Sequence, residues 1–110
     1  MAASRSRVGL PESVQVRYRA LADSAARKLK DLHADAVASF VEARLSAPSS
    51  QDPFPYLVAP RNSVNQNVDL PPELWVKVHT LAERDEVATR RILYTALVRF
   101  LDQANPATRT

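Results

Sequence analysis

Val64-Asn65-Gln66-Asn67-Val68-Asp69-Leu70-Pro71-Pro72-Glu73-Leu74 changes its periodicity in mid-course. Up to Leu70, apolar and polar residues alternate. Val64, Val68 and Leu70 fall on one face and Asn65, Asn67 and Asp69 on the other, with Gln66 intruding on the apolar side. This is the pattern of a short, half-buried strand. Pro71 and Pro72 stop it, and proline is tolerated in the first turn of a helix, where Glu73 also suits the positive end of the dipole. Leu74, Val78, Leu81 and Ala82 then share one helical stripe. The charged run Glu83 to Glu86 leads to a break before Thr89, an expected N-cap, and Ile92, Leu93, Ala96, Leu97, Phe100 and Leu101 mark a second helix to about Gln103.

The same grammar occurs sixty residues upstream, without a gap. Val8, Leu10, Pro11, Val16, Leu21, Ala22, Ala36 and Phe40 recur as Val68, Leu70, Pro71, Val76, Leu81, Ala82, Ala96 and Phe100. Val8 and Leu10 are the inward strand residues of this first unit, with Arg5, Arg7 and Gly9 opposite them. Val14, Tyr18, Leu21 and Ala22 give its first helical stripe, and Leu32, Ala36, Val37, Phe40 and Val41 its second. The duplication places a break near Ser24 to Arg27, although the residues alone also allow one long helix from Glu12 to Leu45. The chain therefore divides into a first repeat at 4–46, a proline-rich linker at 47–62, a second repeat at 63–103 and a flexible tail at 104–110. Phe54, Tyr56 and Leu57, inside the linker, are expected to lie on the outer surface of the core, and Trp75 to pack against the linker. His33, matched by Leu93, is expected to be partly buried, and His79 to face solvent.

Composition removes several function classes. The chain has 110 residues, one glycine, eight prolines and no cysteine. A single glycine excludes the glycine-rich phosphate loops, which need several positions without a Cβ. Without cysteine, and with only His33 and His79, thiolate metal sites and Cys/His zinc sites are excluded. No nucleophile, base and orienting group can be assembled, so neither catalysis nor a cofactor is expected. No apolar run is long enough to span a membrane, and a soluble, cytoplasmic protein is expected. Basic residues exceed acidic ones by three, which permits a nucleic-acid partner without demanding one.

One strand-helix-helix unit cannot satisfy its strand, whereas two units can pair their strands and close four helices over a common core. Asn65-Gln66-Asn67-Val68-Asp69-Leu70-Pro71-Pro72-Glu73-Leu74-Trp75, with Leu81 to Asp85 and Ala96 to Leu101, resembles the ribbon-helix-helix family of Arc- and MetJ-like DNA-binding proteins; residues 4–46 resemble a weaker copy. The resemblance implies a mainly α fold in which both units form an intramolecular pseudo-dimer, a two-stranded antiparallel ribbon over four helices. It further implies sequence-specific binding of double-stranded DNA, the ribbon entering the major groove with Arg5, Arg7, Gly9, Asn65, Asn67 and Asp69 toward base edges. Backbone amides and basic side chains at the second helices, namely Arg27, Lys28 and Lys30 in one unit and Ala88, Thr89, Arg90 and Arg91 in the other, would hold phosphates. Both units lack the glycine usual in the family's turn, having Ala26 and Glu86 there. The tandem arrangement is similar to accessory proteins of conjugative plasmid transfer, which would add a relaxase or other DNA-processing protein as a partner; two-chain relatives are mostly transcriptional regulators. A monomer, with side-by-side association on DNA, is implied. A helical protein-interaction module without DNA binding is the alternative.

Overall fold

The computed structural model describes residues 4–47 and 54–104, without the side chains of residues 4–6 and 104. Its elements are β1 (Ser4–Leu10), α1 (Glu12–Ala25), α2 (Leu29–Ser46), β2 (Val64–Leu70), α3 (Pro72–Asp85) and α4 (Thr89–Ala104). The second three elements start sixty residues after the first three, each in turn. The described chain is thus mainly helical, with four helices and one two-stranded antiparallel sheet.

Both first helices begin the same way. The carbonyl of Pro11 accepts from the amides of Val14 and Gln15, and that of Pro71 from Leu74 and Trp75, at 3.0 to 3.2 Å. Both end the same way as well. Ala26 and Glu86 each adopt φ 53°, in the left-handed region, and the next amide reaches back to the helix, Arg27 to the Ala22 carbonyl at 3.0 Å and Val87 to Ala82 at 3.1 Å. This backbone pattern satisfies carbonyls left over at the helix end and reverses the chain without glycine, at a cost of roughly 1 to 2 kcal/mol for each Cβ forced into that region. The continuous helix from Glu12 to Leu45 is therefore not formed. Thr89 is also not a cap: it is the first helical residue, and Ala88 supplies the carbonyl that accepts from Arg91 and Ile92, as Lys28 does for Asp31 and Leu32.

In the ribbon Ser4 lies opposite Leu70 and Leu10 opposite Val64, so residues that are equivalent in the two repeats meet only at the middle, as Arg7 and Asn67. Val8, Leu10, Val68 and Leu70 are buried on the helix side. Val64, expected on that same face, is largely exposed, because β2 buries only its C-terminal half. Gln15 ties down this end of the ribbon by donating from Nε2 to the carbonyls of the paired residues Leu10 and Val64, at 3.2 and 3.1 Å.

α2 and α4 lie against each other beneath the ribbon, and each also approaches the strand of the other repeat. One core results: it runs from Leu10 and Leu70 through Leu32, Val37, Val41, Ile92, Leu93, Leu97 and Leu101. Tyr18 crosses between the repeats. Its hydroxyl donates to the Leu97 carbonyl at 2.5 Å, its ring stacks on Phe100, and His33 meets it edge-on at 5.1 Å. Burial pushes the Tyr18 hydroxyl well above the ordinary phenol range, so it stays a donor. His33, expected to be only partly buried, is 2% exposed. Burial lowers it to about 4 against the opposing pull of the Asp69 carboxylate, so the imidazole is neutral near pH 7.

Residues 54–63, most of them in the linker, form a strap that starts against α2 and continues along α4. Phe54 packs edge-on against Phe40 and lies beneath the guanidinium of Arg44, 4.3 Å from the ring centroid. The Tyr56 hydroxyl donates to Asp85, which also accepts from Arg44 and Arg84 at 3.0 Å. Burial alone would raise the Asp85 carboxyl, but these hydrogen bonds hold it down at about 2. Farther along, the amide of Leu57 donates to Thr95 Oγ1 at 2.8 Å, and the Arg91 guanidinium donates to the carbonyls of Tyr56, at 2.7 Å, and Leu57.

Candidate nucleic-acid interface

The outer face of the ribbon is the complement of its buried one. Because Val8, Leu10, Val68 and Leu70 point down, the alternation sends Arg7, Gly9, Asn65, Asn67 and Asp69 up. Arg7, Asn65 and Asn67 are exposed; Gly9 and Asp69 are half-buried. Arg5 lies opposite Asp69 in the strand register, and its side chain is outside the described residues. The face reads, from end to end, as Arg5 beside Asp69, Arg7 beside Asn67, and Gly9 beside Asn65. Guanidinium and carboxamide groups are the ones that can make paired hydrogen bonds to guanine and adenine edges.

Gly9 differs from its expected role. A methyl group placed there would meet Ser63 Cβ at 3.2 Å and Ala59 Cβ at 3.9 Å, so this glycine makes room for the end of the strap on the outer face. The turn that brings the strap back, closed by the Ser63 amide on the Pro60 carbonyl at 3.2 Å, presents Arg61 and Asn62, both exposed, at this end of the ribbon. Sequence reasoning placed these two residues in the linker and missed them. Their one signal was a basic and an amide side chain immediately before the strand.

Each second helix starts near one end of the ribbon. His33, in the first turns of α2, feels the charge of Asp69, which sets the start of α2 near that end. The strap links Arg91, in the first turn of α4, to Ala59 beside Gly9 at the other. No side chain caps α2, so the first amides point outward with the positive end of the helix dipole behind them. Lys28, Lys30, Ala88 and Arg90 are exposed, and Thr89 is half-buried. Two of the expected phosphate ligands are otherwise occupied. Arg27 forms an ion pair with Asp35, in which both side chains remain largely exposed, so it is weakly held. Arg91 departs further, since its guanidinium is spent on strap carbonyls.

Trp75 is half-buried against the edge of the core, with the exposed His79 ring tilted over it at 5.5 Å. Among the described residues no group of three or more His, Asp or Glu is gathered as a metal site would require, and no helix is long and apolar enough to cross a membrane. Comparisons of the chain with family models, curated proteins and solved structures return no match.

Proposed function

We propose that this protein binds double-stranded DNA as a single-chain ribbon-helix-helix pseudo-dimer, laying the outer face of its ribbon in the major groove. The observation that carries the reading is the ribbon register: two strands from one chain pair antiparallel about the Arg7 and Asn67 pair, with base-reading side-chain types on the open face and apolar ones below. A two-stranded ribbon fits the width of the major groove, and the starts of α2 and α4 near its two ends suit phosphate oxygens. Lys28, Lys30 and Arg90, rather than Arg91, then supply the flanking charge.

Because the two strands differ, the element recognised is asymmetric. Arg7 suits guanine, Asn65 and Asn67 suit adenine, and Asp69 suits the amino group of cytosine. The role is that of a plasmid-transfer accessory protein, working beside a DNA-processing enzyme such as a relaxase, or of a transcriptional regulator.

Selection of bound duplexes from a random pool tests the proposal. One asymmetric consensus is expected to emerge, bound with an affinity that falls steeply with salt. Arg7→Ala and Asn67→Ala should each weaken binding to that consensus by about 1 to 3 kcal/mol and relax it at one position. No enrichment, or enrichment that both variants leave unchanged, refutes the ribbon as the reading head.

A further inference from the structure

The strap does more than join the repeats, because its last turn stands on the outer face of the ribbon. Gly9 faces outward, and a Cβ on it would meet Ser63 Cβ at 3.2 Å and Ala59 Cβ at 3.9 Å. The turn between those two residues is closed by the Ser63 amide on the Pro60 carbonyl, so Arg61 and Asn62 are its two central residues. Both are exposed, and Arg61 forms no ion pair among the described residues.

The turn is held from both sides. Before it, the Leu57 amide is fixed on Thr95 Oγ1 at 2.8 Å and the Tyr56 carbonyl on the Arg91 guanidinium at 2.7 Å. After it, Asn65 is paired with Gly9 in the ribbon. A turn already in place loses little conformational freedom when it meets a ligand. The same anchoring redistributes charge. It turns the Arg91 guanidinium onto strap carbonyls at the start of α4, and the strap so fixed carries Arg61 to that same end of the ribbon.

We propose that this turn is a second, one-sided DNA contact, in which Arg61, with the Asn62 carboxamide beside it, holds the sugar-phosphate backbone next to the start of α4 and replaces Arg91 there. The inference rests on the DNA reading above. Phosphate is the partner because the row of outward ribbon side chains ends at the Gly9 and Asn65 pair, and beyond it the rim of the groove is backbone. The chain has one linker, so only one end of the ribbon receives such a turn. The grip is therefore unequal: a helix start at the α2 end, and a helix start plus the turn at the α4 end. That inequality gives the protein a direction on its site beyond what base reading supplies.

Ethylation interference on a duplex carrying the consensus selected above tests it, with Lys28→Gln marking the α2 end. Arg61→Gln is expected to remove interference at one or two phosphates, at the end opposite to that altered by Lys28→Gln, and to lower the salt slope by about one with the consensus itself retained. Arg61→Lys should restore most of the slope, since it keeps the charge. Amide shifts of the ribbon should be unmoved in both variants, because Arg61 is exposed at a turn. A parent protein that selects no consensus refutes the DNA reading and this inference with it. A parent that binds its consensus, while Arg61→Gln keeps every phosphate and the full salt slope or loses phosphates at the α2 end, refutes the turn contact alone.

Discussion

α2 and α4 are one helix written twice, yet their outer faces have diverged. Position 35 in α2 is an exposed aspartate; its equivalent in α4 is Thr95, fully buried, with its hydroxyl accepting from the Leu57 amide. Ala34 is half-buried where Tyr94 is buried. Asp31 is exposed where Arg91 is bound to the strap. The tether that makes the two repeats one chain has to run somewhere, and it runs over α4. Around Thr95 that helix is covered on its outer side as well, while α2 at the equivalent Asp35 keeps an open surface.

Exchanging equivalent residues exposes the difference most sharply. Thr95→Asp puts a charge under the strap and should destabilise the fold by about 3 kcal/mol or more in urea denaturation, since a buried unpaired charge is far costlier than a lost hydroxyl. Asp35→Thr should change stability by about 0.5 kcal/mol or less. Equal costs would mean that the strap does not cover α4.

His33 and Leu93 offer a second exchange. The His33 imidazole is lowered from its ordinary 6.5 to about 4 in the fold, so its neutral form contributes stability above pH 6.5 that is lost as pH falls from there toward 4. The loss should reach about 3 kcal/mol, and His33→Leu, copying the other repeat, should flatten it. Asp85 acts lower: lowered to about 2, it contributes stability above its ordinary range that disappears between about pH 4 and 2, in the parent and in His33→Leu alike.

Arg90 and Arg91 are neighbours with different employment. Arg91→Ala should cost about 1 to 2 kcal/mol of stability through the lost strap hydrogen bonds and leave the salt dependence of the proposed DNA binding unchanged. Arg90→Ala should leave stability alone and reduce the salt slope by about one. The smallest effects are expected at the turns the repeats share. Ala26→Gly and Glu86→Gly should each stabilise by about 0.5 to 1 kcal/mol, because both relieve a Cβ in the left-handed region. A gain at only one of them would show that the two turns are not equivalent.

What the sequence made legible was local. The alternation from Val64 to Leu70 and the proline that follows specify strand and helix start from neighbouring residues, and the sixty-residue offset carries them to the first repeat. The break after Ala25 was reachable only through that offset, because no glycine marks it. The strap was not legible, for a different reason. Its hydrogen bonds, from Leu57 to Thr95 and from Arg91 to the carbonyls of Tyr56 and Leu57, join residues more than thirty apart and leave no periodicity. Arg91, expected to hold phosphate, and Gly9, expected to face base edges, both lie against this strap, which neighbouring residues do not announce.

The middle of the ribbon has a genetic consequence. Where a reading head is assembled from two identical chains, any change of codon alters both half-sites together, and the operator must change twice to follow. Here Arg7 faces Asn67, an unlike pair at the point of pseudo-symmetry, and each is encoded once. On the proposed DNA reading, one substitution would alter recognition on one side only, so that protein and target would drift apart and rejoin one base pair at a time.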